Sequence, residues 1–225
     1  MYKVLALSSL IVLSFSCKKD EEITENPNCE PELKVQDYMP MAVGNYWVYQ
    51  QYRIDSNRVE EKMGQVDSMK ITRIEKIRGN EYFVFEGTNS PYGNFDGSII
   101  HMLRDSNGYL VNQSGDILMS VKNFTDTLDK GSDNNDIYSY YHKMRGESQV
   151  NIAGAVETVI NYQVDRIFNK PFSDELGTEA VVSNNYYAKG RGKVMDDYYY
   201  MADYITNKRI IERRLIRYHI VSESK

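Results

Sequence analysis

Apolar and polar residues alternate with a period of two along most of this chain, and no segment sustains an apolar repeat at helical spacing. The clearest run is Val156 to Phe168, where Ile160, Tyr162 and Val164 fall on one face and Asn161, Gln163 and Asp165 on the other. That is a strand with one wet face, as an antiparallel sheet requires. Similar runs predict strands over Tyr46–Tyr52, Met69–Arg78, Glu81–Glu86, Ile99–Leu103, Tyr109–Asn112, Ile117–Val121, Tyr138–Met144, Tyr186–Val194, Tyr198–Tyr204 and Arg209–Val221. On the first, Trp47 and Tyr49 oppose Tyr46, Val48 and Tyr52, and Trp47 is expected in the core near an end of the sheet. On the last, Ile216, Tyr218 and Ile220 alternate with Arg217 and His219.

Turn residues punctuate these runs. Asn107-Gly108 between apolar segments is the strongest hairpin signal, because a type I′ turn needs positive φ at both centres. Gly79-Asn80 is a second two-residue turn, and Ser114-Gly115-Asp116 marks another reversal. The polar stretch Asp55–Asp67 reads as a loop or one short helix, Thr88–Gly97 and Asp126–Asp136 as loops, and Asn169–Asn185 as a long connection. Ten or so strands joined in sequence make a sheet too wide to stay flat, and accumulated twist curls it. The expected fold is therefore all-β with few or no long helices. It is a strongly curved antiparallel sheet, a barrel or half-barrel of the kind lipoprotein carriers use, with the concave side as the natural ligand site.

The amino terminus carries an address. Lys3 precedes an apolar run from Val4 to Phe15, too short for the about 20 residues of a bilayer span and suited to a cleaved secretory segment. Leu13-Ser14-Phe15-Ser16-Cys17 resembles the lipobox of bacterial lipoproteins, in which the cysteine is acylated, with palmitate for example, and becomes the first residue. The tract Lys18-Lys19-Asp20-Glu21-Glu22 resembles the charged stretch behind that cysteine in surface lipoproteins of the Bacteroidota type. The resemblance implies an outer-membrane anchor at Cys17 and display on the cell surface. Residues 1–16 would be the signal peptide, 17–38 the lipidated cysteine and a flexible acidic tether interrupted by Pro27 and Pro31, and 39–225 a single β domain.

Three further segments resemble a broad group of exported lipoproteins of no assigned activity. They are Pro40-Met41-Ala42-Val43-Gly44-Asn45-Tyr46-Trp47-Val48-Tyr49, the run Val150 to Thr158 with Ala153-Gly154, and Tyr187-Ala188-Lys189-Gly190-Arg191-Gly192-Lys193-Val194. Arg191 stands where the group is expected to carry an apolar residue. The resemblance implies an antiparallel β-fold and a surface role, and no reaction.

Composition narrows the partners. The formal charge is −5, one unit more negative once Lys3 is removed, and no basic tract stands out, which argues against nucleic acid. Roughly 210 mature residues suffice for one sizeable core. With Cys17 acylated, Cys29 has no partner in the chain and is read as incidental.

Little in the chain points to chemistry. His101, His142 and His219 lack metal-ligand spacing, and aligning Gly131 with the calcium-loop glycine puts Leu128 and Lys130 at ligand positions. No cofactor or metal is expected. Gly190-Arg191-Gly192-Lys193 lacks the rest of a phosphate loop and reads as a bulge or tight turn. The one excess is tyrosine, 19 in all, which suits half-buried strands but can also line a site. Tyr138, Tyr140, Tyr187 and Tyr199 are the candidate ligand-facing aromatics, with no catalytic residue assigned.

These observations favour a non-catalytic binding or assembly module on the surface, its partners the membrane and a glycan, a lipid or another surface protein. The alternative is a lipid or lipoprotein carrier, which needs a deep apolar cavity. A hydrolase would need carboxylates converging in the cleft, with Asp196 and Asp197 the pair to inspect.

Overall fold

The computed structural model describes residues 32–88, 98–152, 154–199 and 208–221. Cys17, Cys29, the 89–97 loop, Ala153 and Tyr200 lie outside them. Among the described residues two short helices, α1 (Val35–Tyr38) and α2 (Phe172–Leu176), accompany twelve strands. The strands are β1 (Tyr46–Ile54), β2 (Glu60–Ile77), β3 (Asn80–Thr88), β4 (Ser98–Asp105), β5 (Tyr109–Asn112), β6 (Ile117–Ser120), β7 (Thr127–Ser132), β8 (Tyr138–Ile152), β9 (Ala155–Phe168), β10 (Ala180–Ala188), β11 (Gly192–Tyr198) and β12 (Ile210–His219).

All twelve join one antiparallel sheet in the order β6-β5-β4-β3-β2-β1-β12-β11-β10-β9-β8-β7. Chain neighbours pair throughout except at one place, so β6 and β7 are the free edges although only Val121–Asp126 separates them. The sheet curls until β6 meets β9, where the Tyr162 hydroxyl bonds the Ile117 carbonyl at 2.8 Å. This is the curved, nearly closed barrel the strand count predicts, with its seam between β6 and β7. Because β1 pairs with β2 and β12, Trp47 stands mid-sheet and not near an end of it. It is fully buried.

Several boundaries move. The polar stretch after Asp55 is not a loop or helix beyond residue 59. From Glu60 onward it is the first half of an 18-residue β2. Pairing with β1 overrides its poor strand propensity, helped by Arg53–Glu61 and Arg214–Glu60 ion pairs. The β2–β3 turn centres on Arg78 (φ 50°) and Gly79 (φ 85°), one residue earlier than predicted, while Asn107 (φ 55°) and Gly108 (φ 85°) form the turn as expected. The supposed acidic loop contains β7, paired to β8 with the Tyr140 ring lying over Gly131. The long connection after Asn169 becomes α2 and then β10. The run Tyr186–Val194 is a hairpin, β10 to β11, turning at Lys189–Arg191.

Leu33–Tyr38, which the sequence places in the tether, belongs to the core. Val35, Tyr38, Met39 and Met41 are buried among Trp47, Ile71, Phe85, Met144 and Ile160, and α1 is tied to the β10–β11 turn by Gly190 N–H to the Asp37 carbonyl at 2.6 Å. The segments that carry the lipoprotein resemblance meet here. Trp47 Nε1 donates to the Arg191 carbonyl (2.5 Å), its ring covers Gly192, and the Tyr49 hydroxyl donates to the Lys193 carbonyl (3.0 Å). Arg191, the odd residue of its segment, forms a two-pronged ion pair with Glu157 on β9. Buried Asn45 donates to the Pro40 carbonyl and accepts from Val221 N–H, locking the turn before β1.

Candidate functional site

Twelve strands enclose more space than the side chains fill. A hollow of about 270 Å³ remains on the concave side, walled by apolar residues that include Met39, Met69, Phe85, Leu103, Leu110 and Leu118. Tyr49, Tyr162 and Tyr187 complete that wall. One flank is charged, carrying Asp67, Lys193, Asp196 and Arg213, with His101 and Asn185 also lining the space.

Bulges assemble the charged flank. Tyr186 pairs with Met195 but Tyr187 with Lys193, so Val194 is an extra residue in β11. Strict alternation would send Lys193 and Asp196 to opposite faces, whereas the bulge lets both line the hollow. A second bulge sets Val48 opposite Arg217 and Tyr49 opposite Leu215. It leaves Ile216 and Tyr218 exposed, against the alternation read for β12.

The charges are paired and buried. Arg213 grips Asp196 through Nε to Oδ1 (2.7 Å) and Nη2 to Oδ2, and its Nη1 lies 3.6 Å from Asp67 Oδ2. Asp67 also accepts from Gln51 Nε2 at 2.7 Å. Lys193 Nζ donates to Asn185 Oδ1 (2.9 Å) and Asp196 Oδ2 (3.0 Å). Burial alone would raise the Asp196 carboxyl, but Lys193 and Arg213 hold it below the usual range. Burial lowers the Lys193 ammonium against the pull of Asp196. Burial, then the positive charge of Lys193 and Arg213, lowers the His101 imidazole, which is neutral at pH 7.

Two of the three wall tyrosines have hydroxyls tied to protein. Tyr49 donates to the Lys193 carbonyl, and Tyr162 bridges the Ile117 carbonyl and His142 Nδ1 (2.7 Å). Tyr187 differs. It is 5 % exposed, its hydroxyl bonds no described residue, and burial raises its pKa so that the proton stays on. Its side chain lines the hollow with the O–H still available to donate.

Of the four candidate aromatics, Tyr187 alone lines this space. Tyr138 packs on Phe168 under Arg166, Tyr140 packs beside His142, and Tyr199 packs against the small cluster of Phe168, Leu176 and Val181. The sequence does not single out Tyr49, Tyr162, Asp67 or Arg213, and marks His101 only as a histidine without metal-ligand spacing. Asp196 and Asp197 lie within β11 and do not converge: Asp196 faces the hollow, while Asp197 accepts from Asn184 N–H (2.8 Å) and Nδ2 (2.9 Å). Burial raises Asp197 to about 6. Cys17 lies outside the described residues.

No family profile matches the chain, and no curated protein matches it. Two solved structures are similar in backbone. One is provisionally described as an exported protein with a YmcC-like fold from Bacteroides fragilis; it is 11% identical over 81% of this chain and 98% of that one, with a TM-score of 0.49. The other, provisionally described as a lipoprotein from Parabacteroides distasonis, is 12% identical over 80% and 97%, with a TM-score of 0.46.

Proposed function

We propose that this chain is a lipid-anchored lipoprotein of the outer membrane, displayed at the cell surface through Cys17, and that it is a non-catalytic binding module whose ligand occupies the barrel hollow. The anchor rests on the sequence from Lys3 to Glu22. The ligand site rests on one observation above others: nearly buried Tyr187, whose hydroxyl has no partner among the described residues, lines an apolar hollow that the side chains leave open. A buried polar group normally finds a partner, so this one is suited to a guest.

The hollow also bears on the carrier reading. Its wall is apolar, as a carrier requires, but its volume is small. An apolar cavity of about 150 Å³ takes benzene, six heavy atoms, so 270 Å³ takes about 11. A two-chain phospholipid is several times larger. The hydrolase reading gains nothing from Asp67 and Asp196: both are engaged by Arg213, and Asp196 is held below the usual carboxylate range.

Two experiments test the proposal. Cys17→Ala should move the protein from membrane to soluble fractions; continued retention would defeat the anchor. Native mass spectrometry of that soluble variant should show a small co-purifying mass that disappears when Leu118→Trp fills the hollow. A mass unaffected by Leu118→Trp would place the ligand elsewhere.

A further inference from the structure

We infer that the hollow is built for a monocarboxylate with an apolar body of medium length, its carboxylate held between Lys193 and Tyr187 and its tail lying along Leu118, Leu110 and Phe85. This deepens the binding reading above and rests on it.

The polar flank offers donors, while the carboxylates that line it already accept from protein groups. An ammonium has three N–H groups. Lys193 spends two on Asn185 and Asp196, leaving a third beside the hollow. Tyr187 sits directly across from Lys193 in the β10–β11 register and contributes its unpartnered O–H. His101, on β4, also bonds no described residue and can give one N–H. The carboxylates, by contrast, are turned toward protein donors: both Asp196 oxygens are taken by Arg213, and Asp67 by Gln51 and Arg213. Tyr187 and neutral His101 can also accept, but the Lys193 ammonium can only donate, so a head that accepts is the one able to use all three.

Charge favours an anion over a neutral acceptor at the mouth of this cluster. The four charges sum to zero, but their arrangement is not symmetric. The potential reaching His101 is positive, from Lys193 and Arg213, whereas at Tyr187 the effect of Asp196 exceeds that of Arg213, so the positive side of the cluster is the one toward Lys193 and His101. A cationic head would meet the Lys193 ammonium, and the carboxylates beside it already accept from Arg213, Lys193 and Gln51. A carboxylate can accept from Lys193 and Tyr187 together, which are charge-assisted bonds in a low-dielectric site.

Length follows from volume. About 11 heavy atoms correspond to a carboxylate on an eight- or nine-carbon tail, scaled from the about 150 Å³ benzene cavity. Nothing polar is needed along that tail, since Leu110, Leu118 and Phe85 supply only hydrocarbon.

The test holds the tail constant and changes the head. Decanoate, decanol and decyltrimethylammonium are titrated into the full chain carrying Cys17→Ala, followed by Trp47 emission, because Trp47 stacks at 6.1 Å on the lining residue Phe85. Decanoate should bind at least tenfold more tightly than decanol, and the ammonium should not compete. Tyr187→Phe should weaken decanoate about tenfold, the scale of one hydrogen bond to a charged group. Leu118→Trp should abolish binding of both. Equal binding of decanoate and decanol, both lost in Leu118→Trp, would overturn the head-group assignment while leaving the hollow as the ligand site. A preference for the ammonium would reverse its sign. No binding by any of the three, or binding indifferent to Leu118→Trp, would remove the hollow from consideration altogether.

Discussion

Removing Arg213 should destabilise the fold more than any other single charge deletion, and in a pH-dependent way. The Arg213 side chain is 12% exposed and those of Asp196 and Asp67 are 6% and 4%, so three charges share a nearly dry site. A pair about 4 Å apart in a medium of effective dielectric about 20 interacts by about 4 kcal/mol. Arg213→Met leaves Lys193 to hold Asp196 but takes the Arg213 guanidinium away from buried Asp67, which also accepts from neutral Gln51. Breaking a buried pair in this way costs about 3–5 kcal/mol, or roughly 10 °C in Tm for a chain of this size.

The sign of the pH effect separates this account from a simple packing loss. In the wild type Asp196 titrates below its unfolded value. Its contribution is present above about pH 4 and fades as pH falls through the depressed folded pKa. In Arg213→Met a carboxylate only 4% exposed loses its nearby guanidinium, which makes its charged form more costly to bury. That variant should gain more stability than the wild type as pH drops from 7 toward 5, over and above the rise that Asp197 gives both. Urea denaturation followed by circular dichroism at pH 5, 6 and 7 measures both. Asp67→Asn in the Arg213→Met background should recover more than half the loss. A penalty under about 1 kcal/mol, or one flat with pH, would mean the cluster is solvated and the reasoning wrong.

Three further expectations concern single sites. Asp197, raised to about 6 from 3.8, should give a wild type that loses up to about 3 kcal/mol as pH rises from 4 through 6; Asp197→Asn should flatten that slope in urea midpoints, and an unchanged slope would count against its burial. At Gly192 φ is +86° and an added Cβ would sit 2.9 Å from Trp47 Nε1, whereas Gly79 at φ +85° has open space around it. Gly79→Ala should therefore cost about 1–2 kcal/mol of backbone strain alone, and Gly192→Ala should cost more and shift Trp47 emission. Tyr162→Phe orphans the Ile117 carbonyl at the seam, so stability should fall by about 1–2 kcal/mol and the amides of β6 should exchange faster than those of β9. Equal exchange would mean the hydroxyl does not hold the edge.

The sheet was legible because period-two alternation and Asn107-Gly108 report backbone conformation directly. Curvature followed from strand count. The elements that escaped were those whose reasons are tertiary: Glu60–Asp67 is strand because β1 lies beside it, and Leu33–Tyr38 is core because the barrel end is open to receive it. The site escaped for a related reason. Lys193, Asp196 and Arg213 share one side only because of a bulge, and face assignment by parity fails wherever an extra residue enters a strand. Asp67 was hidden in a stretch read as loop. Which tyrosines turn inward depends on the same bulges, so of the tyrosines lining the hollow the sequence singles out Tyr187 and passes over Tyr49 and Tyr162.

The most direct measurement is methyl nuclear magnetic resonance of the full Cys17→Ala chain labelled at its methionines and titrated with decanoate. Met39 and Met69 line the hollow, while Met195 packs in a separate cluster with Ile152 and Val159 and Met63 lies on β2 away from the lining. Shifts concentrated at Met39 and Met69, absent at Met63 and Met195 and lost in Leu118→Trp, are the predicted result. Shifts at Met63 or Met195 with Met39 and Met69 unmoved would contradict an interior ligand site.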